Sequence, residues 1–181
     1  MARVFLGIGS NREREYHIHA GVKALHDFFA AEHKPLRVSR VFESAAVGFD
    51  GKPFYNLVAE LSTSMSAAAV NQQCKVIEQR FGHQHSGPKF SPRTLDIDVL
   101  LYDQVISRSP VQLPRDEILS NAFVLWPLAE LAPTVQHPVT GKTFAEIWQN
   151  YRSAQQLEPI SFTFEALPHL RHSHQHLPGT I

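Results

Sequence analysis

The segment Pro92-Arg93-Thr94-Leu95-Asp96-Ile97-Asp98-Val99-Leu100-Leu101 sets two carboxylates two positions apart in an apolar run. Residues two apart on a strand share a face, so Asp96 and Asp98 are expected side by side, with Leu95, Ile97 and Val99 pointing the other way. Two anions so placed repel each other and lose hydration unless a cation lies between them. Mg²⁺ suits that gap, because it takes one or two carboxylates and completes its octahedron with water and substrate phosphates. Two such ions could bridge a polyphosphate and neutralise the charge of its transfer. Arg93, Lys89, His83 and His85 lie just upstream as phosphate partners. Arg93 is the best of them, because its planar fork bonds two oxygens at once. The bare Asp-x-Asp spacing also admits a plainer arrangement, in which both acids face solvent and pair with Arg93.

Other features offer weaker chemistry. Gly7-Ile8-Gly9-Ser10-Asn11 follows an apolar run but lacks the spacing of a dinucleotide fingerprint or the Lys of a phosphate cradle, so a tight turn is expected there. Phe54 and Phe123 stand at the edges of elements and could sandwich a flat heterocycle. Asn56 shares the strand face of Phe54, and its amide offers a donor and an acceptor to a ring edge. Both phenyl rings also fit as ordinary core. Trp126-Pro127-Leu128 reads as core and hinge. His172, His174 and His176 alternate and could present a metal face, although a solvated tail fits them better.

The elements that must position these residues follow from periodicity. A strand is expected over 2–9, and a helix over 16–31 carries Ile18, Val22, Leu25, Phe28 and Phe29 until Pro35 stops it. Residues 36–47 read as a strand with a bulge where Val41 and Phe42 shift the phase. Residues 54–63 form a strand with Leu57, Ala59 and Leu61 on one face. Ser64 or Ser66 caps a helix reaching about Arg80, with Val70, Cys74 and Ile77 inside and Gly82 at its end. A loop over 83–92 precedes a strand over 95–102. Residues 103–106 and 110–113 read as a hairpin extension, 115–131 as a short helical piece with an apolar run, and 143–151 as a last helix. The order β-α-β-β-α-β predicts an α+β fold with a ferredoxin-like split β-α-β core, an antiparallel sheet with helices packed on it. Residues 1–160 are expected as a single domain and 161–181 as a flexible His-rich C-terminal tail. Such a fold assigns no chemistry by itself.

Composition narrows the classes. Lys plus Arg and Asp plus Glu number 17 each, so no global charge argues for nucleic acid or an anionic membrane. Cys74 is the one cysteine, which excludes an intrachain disulfide and suits a buried thiol in a reducing compartment. No run approaches the roughly 20 apolar residues of a membrane span. The first apolar run is too short for a signal peptide. A cytoplasmic monomer is expected.

Several segments in order carry a resemblance. Gly9-Ser10-Asn11, Pro53-Phe54-Tyr55-Asn56, Glu78 with Gly82, Pro92-Arg93-Thr94-Leu95-Asp96-Ile97-Asp98, and Ala122-Phe123-Val124-Leu125-Trp126-Pro127-Leu128 together resemble the 6-hydroxymethyl-7,8-dihydropterin pyrophosphokinase family. The resemblance implies ATP as co-substrate, two Mg²⁺ ions, and transfer of the β,γ-pyrophosphoryl unit to the pterin alcohol with release of AMP, a step of folate synthesis. It implies small-molecule substrates only. Asp96 and Asp98 would be catalytic and hold both metals, with Asp96 orienting or deprotonating the hydroxymethyl group. Arg93 would stabilise the moving phosphates, and His83 would stand in the catalytic loop. The pterin would stack between Phe54 and Phe123, with Asn56 reading its edge beside backbone groups of Ser44, Ala45 and Val47. Glu78 and the backbone near Val99 would sit at the nucleoside, and Lys89, Gln112 and Arg115 would complete the ATP contacts.

The chain also departs from that pattern. His83 and His85 stand where the family's mobile loop carries two arginines, Phe90-Ser91 where it carries Trp-Gly, Pro114-Arg115 for Pro-His, and Asn121 where an Arg precedes the Phe. Arg115 could take over a phosphate contact. His83 is the weaker substitute, being partly charged near neutral pH. A second expectation is therefore a paralogue that binds a pterin or nucleotide with little transfer. An RNA-binding module on the same topology is disfavoured by the balanced charge and the acidic strand.

Overall fold

Strand β1 (Ala2–Ser10) is buried on both sides, with Val4, Leu6 and Ile8 on one face and Phe5 on the other. An apolar run of that kind belongs at the centre of a sheet. It pairs antiparallel with β4 (Phe54–Thr63) from Ala2↔Thr63 to Ser10↔Tyr55, and on its other side with β5 (Asp96–Tyr102). The computed structural model describes residues 1–30, 35–44, 53–82 and 94–164, and the backbone of 171–172.

Helix α1 (Arg14–Phe29) and strands β2 (Arg37–Val38) and β3 (Val41–Ser44) connect β1 to β4, and α2 (Ala67–Arg80) connects β4 to β5. After β5 come α3 (Glu117–Ser120), α4 (Ala122–Leu131), α5 (Phe144–Asn150), β6 (Leu157–Ile160) and β7 (Arg171–His172). The sheet order is β5-β1-β4-β2-β7, with β3 also on β4 and β6 on β3. Its pairings are antiparallel except the parallel pair β2–β7. This is the expected α+β, split β-α-β arrangement.

Cross-strand partners share a face, so the register assigns each side. One face carries Leu6, Ile8, Leu57 and Ile97 under α1 and α2, which add Ile18, Val22, Val70 and Ile77. The other carries Phe5, Val58 and Leu101 under Leu125 and Leu128 of α4, with Phe144 of α5 behind. Cys74 lies in the first core, and burial pushes its thiol up to about 12, as befits a structural cysteine. The bulge between β2 and β3 is present: four steps from Val38 to Phe42 face three from Ala59 to Asn56. The Ser39 hydroxyl accepts the Val58 N–H at 3.0 Å there, covering a ladder bond the bulge removes.

Several local expectations are corrected. Gly7 to Ser10 is not a turn but the end of β1, because pairing on both sides holds it extended. Phe28 is exposed, since α1 turns it away from the sheet. The hairpin extension reduces to one bridge, Ser107↔Leu113, with both backbone bonds made. Helix α4 continues through the buried Pro127, where proline forfeits one helical bond. The segment after 160 is in part packed: Phe164 is buried in the first core beside Phe162, and Arg171–His172 forms β7. Residues 165–170 and 173–181, with His174 and His176, lie outside the described residues.

His137 is buried in the turn before α5, where its Nδ1 accepts the N–H groups of Val139 at 3.2 Å and Thr140 at 3.3 Å. Burial holds its pKa below the ordinary 6.5, so the folded state prefers the neutral ring. Its stability contribution is complete above the unfolded value and is lost as pH falls through the lower folded one. His137→Asn keeps an acceptor that does not titrate. Thermal melts from pH 7.5 to 5 should fall more steeply for wild type than for this variant, and parallel curves would refute the role.

Candidate active site

Asp96 and Asp98 do share a face, opposite Ile97 and Val99. Their partners across β1 are Gly9 and Gly7, and the next residues across β4 are Asn56 and Val58. The glycines make a floor without side chains between the acids and Asn56. A Cβ on Gly9 would lie 2.9 Å from Asn56 Oδ1, and one on Gly7 would lie 3.3 Å from Leu100 Cδ2. Helix α4 covers the Phe5–Leu101 end of this face, so the acidic end lies beyond the second core.

Strand β5 is an edge of the sheet. Side chains of α2 occupy its outward polar groups: Glu78 Oε1 accepts the Ile97 N–H at 2.6 Å, and Lys75 Nζ donates to Ile97 O at 3.2 Å. Alternation turns the Val99 backbone outward on the same edge, the side on which a nucleoside was expected. Glu78 is buried, and burial holds its carboxyl above the usual range despite the Ile97 N–H and Lys75. Its described hydrogen bonds go to the Ile97 N–H and the Lys75 ammonium.

Two cations converge on one oxygen. Lys75 Nζ stands 3.5 Å and Arg115 Nη2 3.7 Å from Asp98 Oδ1. Burial works against the Lys75 charge, but Asp98 and Glu78 outweigh it and hold the ammonium above its ordinary pKa. Burial likewise opposes Arg115, and Asp98 and Glu117 again prevail. Arg115 reaches this position because its N–H donates to the carbonyl of Leu100, the extra residue of a β5 bulge. Its Nε is buried without a hydrogen-bond partner among the described residues. Gln112, by contrast, is exposed and donates to Asp116 at 2.8 Å.

The cleft expected to take a ring is described in part. Asn56 Nδ2 donates to Ser44 Oγ at 2.7 Å, and both side chains are buried. Ser44 and Phe123 line a cleft of about 240 Å³. Phe54 stands on the Gly9 side of Asn56 and does not line that cleft. Ala45, Val47, His83, His85, Lys89 and Arg93 lie outside the described residues. Sequence reasoning passed over Lys75, which reads as an ordinary helical Lys; its spacing of three from Glu78 was the available signal.

Fold and side chains together define an α+β protein whose acidic strand, flanking cations and phenyl-lined cleft suit a polyphosphate beside a flat ring. Residues 5–133 match the family 7,8-dihydro-6-hydroxymethylpterin-pyrophosphokinase (HPPK). The 2-amino-4-hydroxy-6-hydroxymethyldihydropteridine pyrophosphokinase of Aquifex aeolicus is 34% identical over 149 residues, covering 81% of this chain and 90% of that one. The protein of the same name from Bacillus subtilis is 30% identical over 139 residues, covering 75% and 81%. Among solved structures, wild-type Plasmodium falciparum HPPK-DHPS superposes with a TM-score of 0.62 at 11% identity, over 83% of this chain and 44% of that one. That likeness shows the fold alone, and this chain spans less than half of the longer one. The chain belongs to the 7,8-dihydro-6-hydroxymethylpterin-pyrophosphokinase family.

The glycine floor is testable through stability. Gly9→Ala forces its methyl onto an amide already held by Ser44, and should cost about 1–3 kcal/mol. Gly7→Ala meets only the flexible end of Leu100 and should cost less. Denaturant unfolding of both variants checks this order, and equal losses would contradict it.

Proposed function

We infer that this protein transfers the β,γ-pyrophosphoryl group of ATP to 6-hydroxymethyl-7,8-dihydropterin, releasing AMP, in folate synthesis. One observation carries the reading beyond family membership. Asp96 and Asp98 stand together on one face of an edge strand, above a glycine floor, with two fixed cations on the Asp98 side.

The donor set fits Mg²⁺. Among the described residues no third His, Cys, Asp or Glu joins the acidic pair, and a two-carboxylate site leaves the remaining positions to water and phosphate. The orphaned Arg115 Nε suits a phosphate oxygen. Asp96 and Asp98 would hold two ions, which would supply positive charge to neutralise the transferring group.

In the transfer, the hydroxymethyl oxygen attacks the β-phosphorus. Its new O–P bond forms as the bond from β-phosphorus to the α,β-bridging oxygen breaks, and AMP leaves with that oxygen. Asp96 lies beside Gly9 in the row that contains Asn56, which supports it as the carboxylate that orients the hydroxymethyl group and takes its proton. Lys75 and Arg115 stabilise phosphate oxygens from fixed positions. Arg93, His83, Lys89 and Gln112 add contacts to the triphosphate, while Glu78 and the Val99 backbone face the nucleoside. Asn56 reads the pterin edge beside Ser44, Ala45 and Val47, and Phe54 and Phe123 hold its faces.

The reading includes a cytoplasmic monomer without nucleic-acid or membrane partners, supported by the balanced charge and single cysteine. No described helix is long and apolar enough to cross a membrane. Neither the comparisons nor the site favours a paralogue with little transfer.

Asp98→Asn should lower Mg²⁺-dependent AMP formation about 10²–10³-fold while the protein stays folded. Chromatography of AMP and ADP after mixing ATP, Mg²⁺ and the dihydropterin provides the measurement. Unchanged AMP formation would remove the metal role, and ADP in place of AMP would remove the reaction class.

A further inference from the structure

The cleft beside Phe123 has a wall that the family match does not reach. Matched residues end at 133, whereas Ala154, Gln155, Gln156 and Leu157 line the cleft together with Ser44 and Phe123. Leu157 is held there as the β6 partner of Ser44. At about 240 Å³ the cleft is smaller than the roughly 300–1,000 Å³ typical of drug-sized ligands, and suits one small ring system.

Gln155 has a second connection to the same cleft. A helix leaves its first N–H groups without intrahelical partners. The N-cap residue of α4, Asn121, makes no side-chain cap. Gln155 Oε1 instead accepts the Ala122 N–H at 2.7 Å, and its Nε2 lies 3.4 Å from both Ser120 O and Asn121 Oδ1. A side chain 33 residues downstream thus fixes the turn that carries Phe123.

We propose that Gln155 is a positioning residue for the pterin site: it sets Phe123 against Ser44, and the segment Ala154–Leu157 closes the outer side of the ring pocket. The C-terminal segment then tunes pterin affinity without touching the phosphates. This rests on the pterin reading given above.

The test compares Gln155→Met, which keeps the length and loses the acceptor, with Gln155→Glu, which keeps an acceptor for Ala122 N–H at a helix N-terminus. KM for the dihydropterin, KM for ATP, kcat, and equilibrium pterin binding by intrinsic fluorescence are measured on the full chain. Gln155→Met should raise pterin KM and Kd roughly tenfold, the effect of one lost hydrogen bond. ATP KM should stay within about twofold, and Gln155→Glu, which keeps the Ala122 bond but loses the Nε2 contacts, should restore part of the loss. Ala154→Trp fills the cleft without touching the cap, and should weaken pterin binding alone, which keeps the test open should Gln155→Met not fold. Unchanged pterin Kd in these variants, or equal weakening of ATP and pterin, overturns the proposal while wild-type pterin binding preserves the reading beneath it. Wild-type protein that binds ATP but no dihydropterin overturns both.

Discussion

Two like charges on adjacent same-face positions of one strand set the terms for everything around them. Asp96 and Asp98 cannot be stabilised by their own strand, and β5 is an edge whose outward groups would invite pairing with another chain. Both problems are met by the same helix. Glu78 and Lys75 from α2 occupy the outward N–H and C=O of Ile97, and Lys75 also faces Asp98. The distances matter: at 3.5 and 3.7 Å, Lys75 and Arg115 offset the Asp98 charge without consuming its oxygens in short bonds. Among the described residues the carboxylate is therefore balanced by two cations without a short ion pair.

The second face of the sheet is divided between packing and chemistry. At one end Phe5, Val58 and Leu101 are covered by α4. At the other, glycines replace side chains beside the two acids. The boundary is held by rigid contacts. Arg40 and the buried Glu130 join β3 to α4, since the Arg40 N–H donates to Glu130 Oε2 at 2.9 Å and its guanidinium pairs with Oε1. Phe42, Trp126, Trp148 and Tyr151 form a row of rings from the sheet to α5, with centroids 4.8, 5.1 and 5.7 Å apart. Losing one partner of such a buried pair strands a charge, so α4 and its Phe123 cannot drift cheaply relative to β3.

Much of this was legible in the sequence, for local reasons. Alternation placed Leu57, Ala59 and Leu61 on one face and both acids of β5 on the other, and the phase shift at Val41–Phe42 revealed a bulge that exists. What escaped depends on partners distant in the chain. Gly7 and Gly9 read as a turn, because a glycine's neighbours do not reveal that strands will flank it on both sides. Lys75 gains its place only when α2 lies along the β5 edge. Phe162 and Phe164 follow the last strong pattern and join the core across a gap that periodicity cannot see. Gln155 is polar, exposed in composition terms, and acquires meaning only by meeting the α4 N-terminus.

The location of the cations bears on how the transfer is controlled. Lys75 is anchored by Glu78 and Ile97 O, and Arg115 by its own N–H on Leu100 O, so neither must be ordered when substrate arrives. Charges held in place before the reaction stabilise a transferring phosphoryl group better than charges recruited from a loop. Their neighbours also push both groups further from titration in the neutral range. An ordinary histidine side chain, by contrast, gains or loses charge there. The two cations beside Asp98, one on α2 and one on the segment after β5, therefore keep their charge throughout the neutral range.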